Sequence, residues 1–95
     1  MQTDFFRAWL SANKTYPEYI INTRIANCKK VEKYYGDLDK FVDECGEEWL
    51  LQELSYSTKN ERDNMIPKII IDGNIRNGYA TLKSATKLYF EMYKD

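Results

Sequence analysis

The sequence predicts an all-α domain: a compact bundle of four or five helices closed by a long C-terminal helix. From Asn74 to Lys94, Ile75, Tyr79, Leu82, Thr86, Tyr89 and Tyr93 recur at three- and four-residue spacing, with Ala85 and Phe90 widening the same side. That is the pattern of a helix laid along a core. No other segment offers so long an apolar face, so the others are expected to fold against it. Two prolines and four glycines in 95 residues, with 43% hydrophobic residues, argue for one ordered domain over residues 1–95.

Asp4 to Ala12 reads as a short helix with Phe5, Phe6, Trp9 and Leu10 on its apolar side and Thr3 or Asp4 as its cap. Asn13 and Lys14 are turn-like. Thr15 then opens a capping box with Glu18, and Pro17 is tolerated in the first turn, where its missing N–H would be unpaired anyway. A second helix is expected from Tyr16 to Tyr35 on a stripe of Ile21, Ile25, Cys28, Val31 and Tyr35, supported by Tyr19, Ile20 and Tyr34. Gly36 stops it.

Asp37 caps a third helix carrying Leu38, Phe41, Val42 and Cys45. After Gly46, a fourth helix is expected over Glu47 to Tyr56, with Trp49, Leu50 and Leu54 inward and Glu47 and Glu48 at its positive end. Ser57 to Met65 reads as a turn and short helix with a Thr58–Glu61 capping box, limited by Pro67. The isoleucines at 69–71 favour extended backbone, but a lone strand would have no partner. A buried connector or irregular turn is expected there rather than a sheet. Asp72 and Gly73 supply a turn, and Asn74 caps the last helix.

The chain contains no histidine, which removes His-centred acid–base catalysis, Ser-His-Asp hydrolysis and most Cys/His zinc arrangements. Cys28 and Cys45 are too few for a four-thiolate site. In apolar helical positions, without a basic-then-apolar signal segment, they are expected to be buried and reduced. No Gly-rich phosphate loop or dinucleotide fingerprint occurs. Asp37, Asp39, Asp43 and Glu44 lack the glycine-containing order of a calcium loop, and the adjacent Glu47 and Glu48 read as solvated helix-end charges. No activating shell for a tyrosine nucleophile can be assembled. Neither catalysis, nor a metal, nor a cofactor is therefore expected. No apolar run approaches the roughly 20 residues that cross a bilayer, so no membrane association and a cytoplasmic setting are expected.

Charge is unevenly distributed. Residues 1–36 sum to +3, residues 37–63 to −6 and residues 64–95 to +2, for a net −1. On the last helix, Arg76, Lys83 and Lys87 share one side, with Asn77 and Lys94 near its margins. Such a row can touch phosphates without reading bases, and it is equally the solvated flank of a core helix. Arg24, Lys29, Lys30 and Lys33 on the second helix carry the same ambiguity. The Tyr79, Tyr89 and Tyr93 stripe reads as packing rather than base stacking.

Three stretches resemble the N-terminal core-binding, SAM-like domain of tyrosine recombinases and phage integrases: "FFRAWL" at 5–10, "TYPEYIINTRIANCKKVEKYY" at 15–35 and "GYATLKSATKLYFEM" at 78–92. Gly73, Asn74 and Asn77 also resemble the "GN..N" turn before the final helix of modules that accompany some DNA restriction proteins. The resemblance implies a four- or five-helix clamp on duplex DNA within a phage or other mobile element. It implies backbone contacts from Arg24, Lys29, Lys30, Arg76, Lys83 and Lys87, with Asn77 adding a polar contact. The strand-exchange chemistry of that family lies in a separate domain, so no tyrosine here inherits it.

Two functional expectations follow. The first is a non-catalytic accessory module that holds duplex DNA by its phosphates. The second is a small protein-binding regulator or structural module whose acidic Asp37–Glu53 segment meets a basic partner through Asp43, Glu44, Glu47 and Glu48, with exposed Tyr or Trp anchors. An acidic protein occupying the DNA site of a nucleic-acid-binding protein is one version of the second. Oligomeric state is open, since aromatic helices fill a core or form a dimer seam equally well.

Overall fold

A computed structural model describes residues 1–56, 62–63, 67–71 and 73–94. Among these the elements are α1 (Thr3–Trp9), a π turn (Leu10–Lys14), α2 (Glu18–Tyr35), α3 (Leu38–Asp43), α4 (Glu47–Glu53) and α5 (Ile75–Lys94), with no strand. The expected Thr58–Glu61 capping box lies outside the described residues.

The long C-terminal helix organises the fold. Tyr79, Leu82, Ala85, Thr86, Tyr89 and Phe90 form its buried face, and α2 packs along it through Ile21, Ile25, Cys28 and Val31. Phe6 and Leu10 close the core from α1 and the π turn, and Leu38, Leu50 and Leu54 close it from α3 and α4. The all-α bundle is thus built from the stripes that the spacing marks. Thr86 is fully buried at no polar cost, because its Oγ1 donates to the Leu82 carbonyl at 2.9 Å.

Several local expectations are corrected. The first helix ends at Trp9, and the chain widens into a π turn in which Asn13 Nδ2 caps the Trp9 carbonyl at 3.1 Å. Gln2, rather than Thr3 or Asp4, is its N-cap, with no side-chain bond. No Thr15–Glu18 capping box forms. Thr15 is left-handed at φ +52°, its hydroxyl donates to the Lys14 carbonyl at 2.7 Å, and Pro17 is the N-cap of α2. By contrast, the Asp37 side chain accepts from the Asp39 N–H at 3.0 Å, and Asn74 accepts from the Asn77 N–H at 3.0 Å, as expected of caps.

Helix α3 ends at Asp43, so Cys45 lies beyond it, exposed and left-handed at φ +56°. Cys45 N–H donates to the Val42 carbonyl at 3.2 Å and Gly46 N–H to the Phe41 carbonyl at 2.7 Å, the two bonds of a Schellman ending with cysteine in the usual glycine position. That tight reversal swings α4 back beside α3. Helix α4 stops at Glu53 rather than Tyr56.

Residues 67–71 form an irregular connector rather than a strand, but not a wholly buried one, since Ile70 is 72% exposed. Ile69 is fully buried and its N–H donates to the Tyr79 hydroxyl at 2.9 Å, while Ile71 lies against Gly78 so closely that a Cβ there would overlap its Cγ2.

Candidate functional site

Two charged surfaces compete for a functional role, and the fold builds them from shared elements. The first is the flank of α5. At about 100° per residue, Arg76, Lys83, Lys87 and Lys94 fall within about 40° of one another, beside the buried face. Helix α4 runs along this same flank. Lys83 Nζ donates to Ser55 Oγ at 2.7 Å, and Lys94 Nζ pairs with Glu47 Oε2 at 3.5 Å. Lys87 lines a groove of about 630 Å³ with Glu47, Glu48 and Glu91 over an apolar floor of Leu51, Leu88 and Phe90. Arg76 and Lys83 line a smaller one of about 230 Å³ with Ser55 and Tyr56. The basic row is real, and carboxylates of α4 and α5 stand beside its C-terminal half.

The α2 cations do not extend it. Arg24, Lys29 and Lys30 diverge by about 100° to 140° around the helix, with Arg24 and Lys30 half-buried and Lys29 exposed. They make no single basic face. Asn77 is exposed and sits in the first turn of α5, where its carbonyl accepts from Thr81 Oγ1 at 2.9 Å.

The second surface is the corner where α2 ends and α3 and α4 begin. Gly36, at φ +101°, releases the chain from α2, and the Cys45–Gly46 reversal folds α4 back, so Tyr35, Phe41 and Trp49 meet. Trp49 stacks on Phe41 at 6.0 Å with 11° between planes and meets Tyr35 edge-on at 6.2 Å. Trp49 was expected inward, but it is 53% exposed. The short α4 buries only Leu50, with its C-cap Leu54 one turn on, and Trp49 falls off that line.

Next to this cluster is a cavity of about 570 Å³ lined by Tyr35, Gly36, Asp37, Lys40, Phe41 and Glu44. Lys68 Nζ sits 4.3 Å from the centroid of the Tyr35 ring, a cation–π contact within the chain. Burial, with Glu53 nearby, pushes the Tyr35 phenol up to about 12, so it is a neutral donor at physiological pH.

The acids of this corner divide by partner. The Met1 ammonium pairs with Asp37 at 2.9 Å, Glu32 at 3.3 Å and Asp39 at 3.7 Å. Hydrogen bonds from that ammonium and from the Asp39 N–H hold the Asp37 carboxyl below the usual carboxylate range. Asp39 also accepts from the Tyr89 hydroxyl, which in turn accepts from the Gln2 N–H at 2.7 Å. Glu47 is taken by Lys94. Asp43, Glu44 and Glu48 are exposed and make no ion pair among the described residues. The sequence-level partner set of Asp43, Glu44, Glu47 and Glu48 thus loses Glu47 to an internal contact.

The aromatic corner was not legible in the sequence as a site. Its only trace was Cys45–Gly46, which reads as a helix break and becomes a reversal that aligns Phe41 with Trp49. Among the described residues no group of three or more His, Cys, Asp or Glu is placed to hold a metal ion, and no helix is long and apolar enough to cross a membrane. No family model, curated protein or solved structure matches the chain.

Proposed function

We propose that this all-α chain is a non-catalytic protein-binding module whose acidic α3–α4 corner takes a basic segment of a partner protein. One observation carries the reading: a half-exposed tryptophan, braced by Tyr35 and Phe41, belongs to the same α3–α4 corner as exposed carboxylates that make no ion pair among the described residues. Aromatic anchors surrounded by unanswered charge are what a specific, electrostatically steered contact requires. The cytoplasm suits two unpaired thiols, one of them exposed.

Duplex DNA is the second reading, favoured by the narrow Arg76, Lys83, Lys87 and Lys94 row. A role as an integrase-like accessory module in DNA recombination rests on that row and on the apolar spacing of the three resembling stretches. Against it stand the α4 carboxylates beside the row and the divergence of Arg24, Lys29 and Lys30.

One experiment separates the two. Fluorescence anisotropy is measured with a labelled basic peptide and with a short duplex DNA, each at ~50 and ~200 mM salt. The proposal expects peptide binding that is lost in a D43N/E44Q/E48Q variant and kept in K83Q/K87Q. Saturable, steeply salt-dependent duplex binding, lost in K83Q/K87Q, would instead assign the function to the α5 flank.

A further inference from the structure

We infer that the cavity between the end of α2 and α3 is the seat for one arginine side chain of that basic partner, an inference resting on the protein-binding reading above. Tyr35 and Phe41 form its aromatic walls, Glu44 supplies a carboxylate without an ion pair among the described residues, Asp37 lines it already paired with the Met1 ammonium, and Lys40 stands at the same cavity with the opposite sign. At about 570 Å³ it is within the size range of small-ligand pockets, so a guanidinium enters with room for its stem.

The Lys68 ammonium already lies over the Tyr35 ring, so Phe41 is the wall on which an incoming guanidinium would stack. Trp49 fixes the walls, stacking on Phe41 and meeting Tyr35 edge-on, which limits the side-chain ordering that binding would otherwise cost. Charge at the seat favours a cation through Glu44, which lines the cavity, is exposed and makes no ion pair among the described residues.

Arginine fits better than lysine for a geometric reason. A planar guanidinium stacks flat on an aromatic ring while its edge donates two hydrogen bonds to a carboxylate. An ammonium is a point charge and cannot do both in one plane. Lys40 opposes either cation, so removing its charge strengthens binding if the seat is used.

The test uses the full chain, labelled with ¹⁵N, and ten-residue Gly/Ser peptides bearing three arginines, three lysines or three citrullines. The Trp49 indole N–H, distinguished from that of Trp9 by a W9F variant, reports occupancy. The arginine peptide is expected to shift the Trp49 signal and to bind about tenfold tighter than the lysine peptide, with no binding by citrulline. E44Q is expected to weaken arginine binding about fivefold, and K40Q to tighten it.

F41L adds a test of the wall, but only if its amide spectrum shows an intact fold; the exposed Glu44 and Lys40 keep the inference testable otherwise. Equal binding of arginine and lysine peptides, insensitive to E44Q and K40Q but lost in D43N/E48Q, overturns the seat and leaves the acidic-face reading standing. Absence of binding by either basic peptide overturns both.

Discussion

Removing one hydroxyl, in Tyr89→Phe, is expected to cost this domain about 2–3 kcal/mol. The Tyr89 ring is fully buried, and its hydroxyl donates to Asp39 while accepting from the Gln2 N–H at 2.7 Å. It therefore ties α5 to the start of the chain and to α3 at one point. Phenylalanine keeps the ring and its edge contact with Phe6 at 5.1 Å, so packing is nearly unchanged. What is lost is a hydrogen bond to a carboxylate, worth about 1.5–3 kcal/mol, and an acceptor for a partly buried N–H, with the two losses overlapping. For a domain of this size that lowers Tm by about 10–20 °C.

The comparison is Tyr93→Phe, whose hydroxyl accepts from the exposed Gln2 Nε2 at 2.8 Å and interacts with the Asp39 carboxylate at an exposed position, and which is expected to cost about 0.5–1 kcal/mol, clearly less than Tyr89→Phe. Urea unfolding followed by circular dichroism measures both. In a double-mutant cycle, Tyr89→Phe with Asp39→Ala should show a coupling of about 1–2 kcal/mol. Equal stability of Tyr89→Phe and wild type would refute the account of the core's polar tie.

Three further outcomes follow from local geometry. Cys45→Gly should stabilise by about 0.5–1 kcal/mol in the same unfolding assay, because it relieves a left-handed non-glycine residue at the Schellman position and leaves both backbone bonds in place. Gly78→Ala should destabilise despite alanine's better helix propensity, since the new methyl overlaps the branched Ile71 side chain; adding Ile71→Ala should recover most of the loss. Stability should fall as pH rises above about 9. Burial raises the Cys28 thiol to about 12 and raises the Tyr89 phenol, so the unfolded chain ionises first and the stabilisation present below the unfolded values is lost as pH climbs through the folded ones. The slope reaches about 1.4 kcal/mol per pH unit for each group, with a smaller, solvent-screened share from Tyr35, and is read by urea unfolding at pH 8 to 11.

The core was legible wherever a stripe was long. Ile21, Ile25, Cys28 and Val31 on α2, and the six buried positions of α5, follow from spacing because a helix of five turns averages over any one misread residue. Helix ends were less legible. Thr15 and Glu18 have the letters of a capping box, but the π turn before them delivers the chain in a left-handed conformation, and Pro17 becomes the cap instead. Trp49 was misplaced for a related reason. Helix α4 is seven residues long, too short for periodicity to choose between Trp49 and Leu50, and the choice was made by the reversal at Cys45–Gly46. The connector was legible because three isoleucines had no strand to join, whereas its pairing with Tyr79 needed the tertiary fold.

Charge shows the sharpest difference between chain and fold. Summed along the sequence, the middle is acidic and the last third basic, which suggests two opposed faces. In space the boundary runs through the molecule differently. Helix α4 lies beside α5, so Glu47 is taken by Lys94 and Glu48 shares a groove with Lys87. The acids at the start of α3 are used likewise, since Asp37, though exposed, and Asp39 pair with the Met1 ammonium and Asp39 also accepts from Tyr89. Among the described residues Asp43, Glu44 and Glu48 are left without an ion pair, and on the protein-binding proposal it is this remainder that steers the partner. A regional charge sum overstates both the basic and the acidic surface, because helices that pack together neutralise each other first. On the protein-binding proposal, the recognition surface is the part of the charge that packing has no internal use for, and Glu44 of that remainder lines the cavity with Phe41, on which the half-exposed Trp49 stacks.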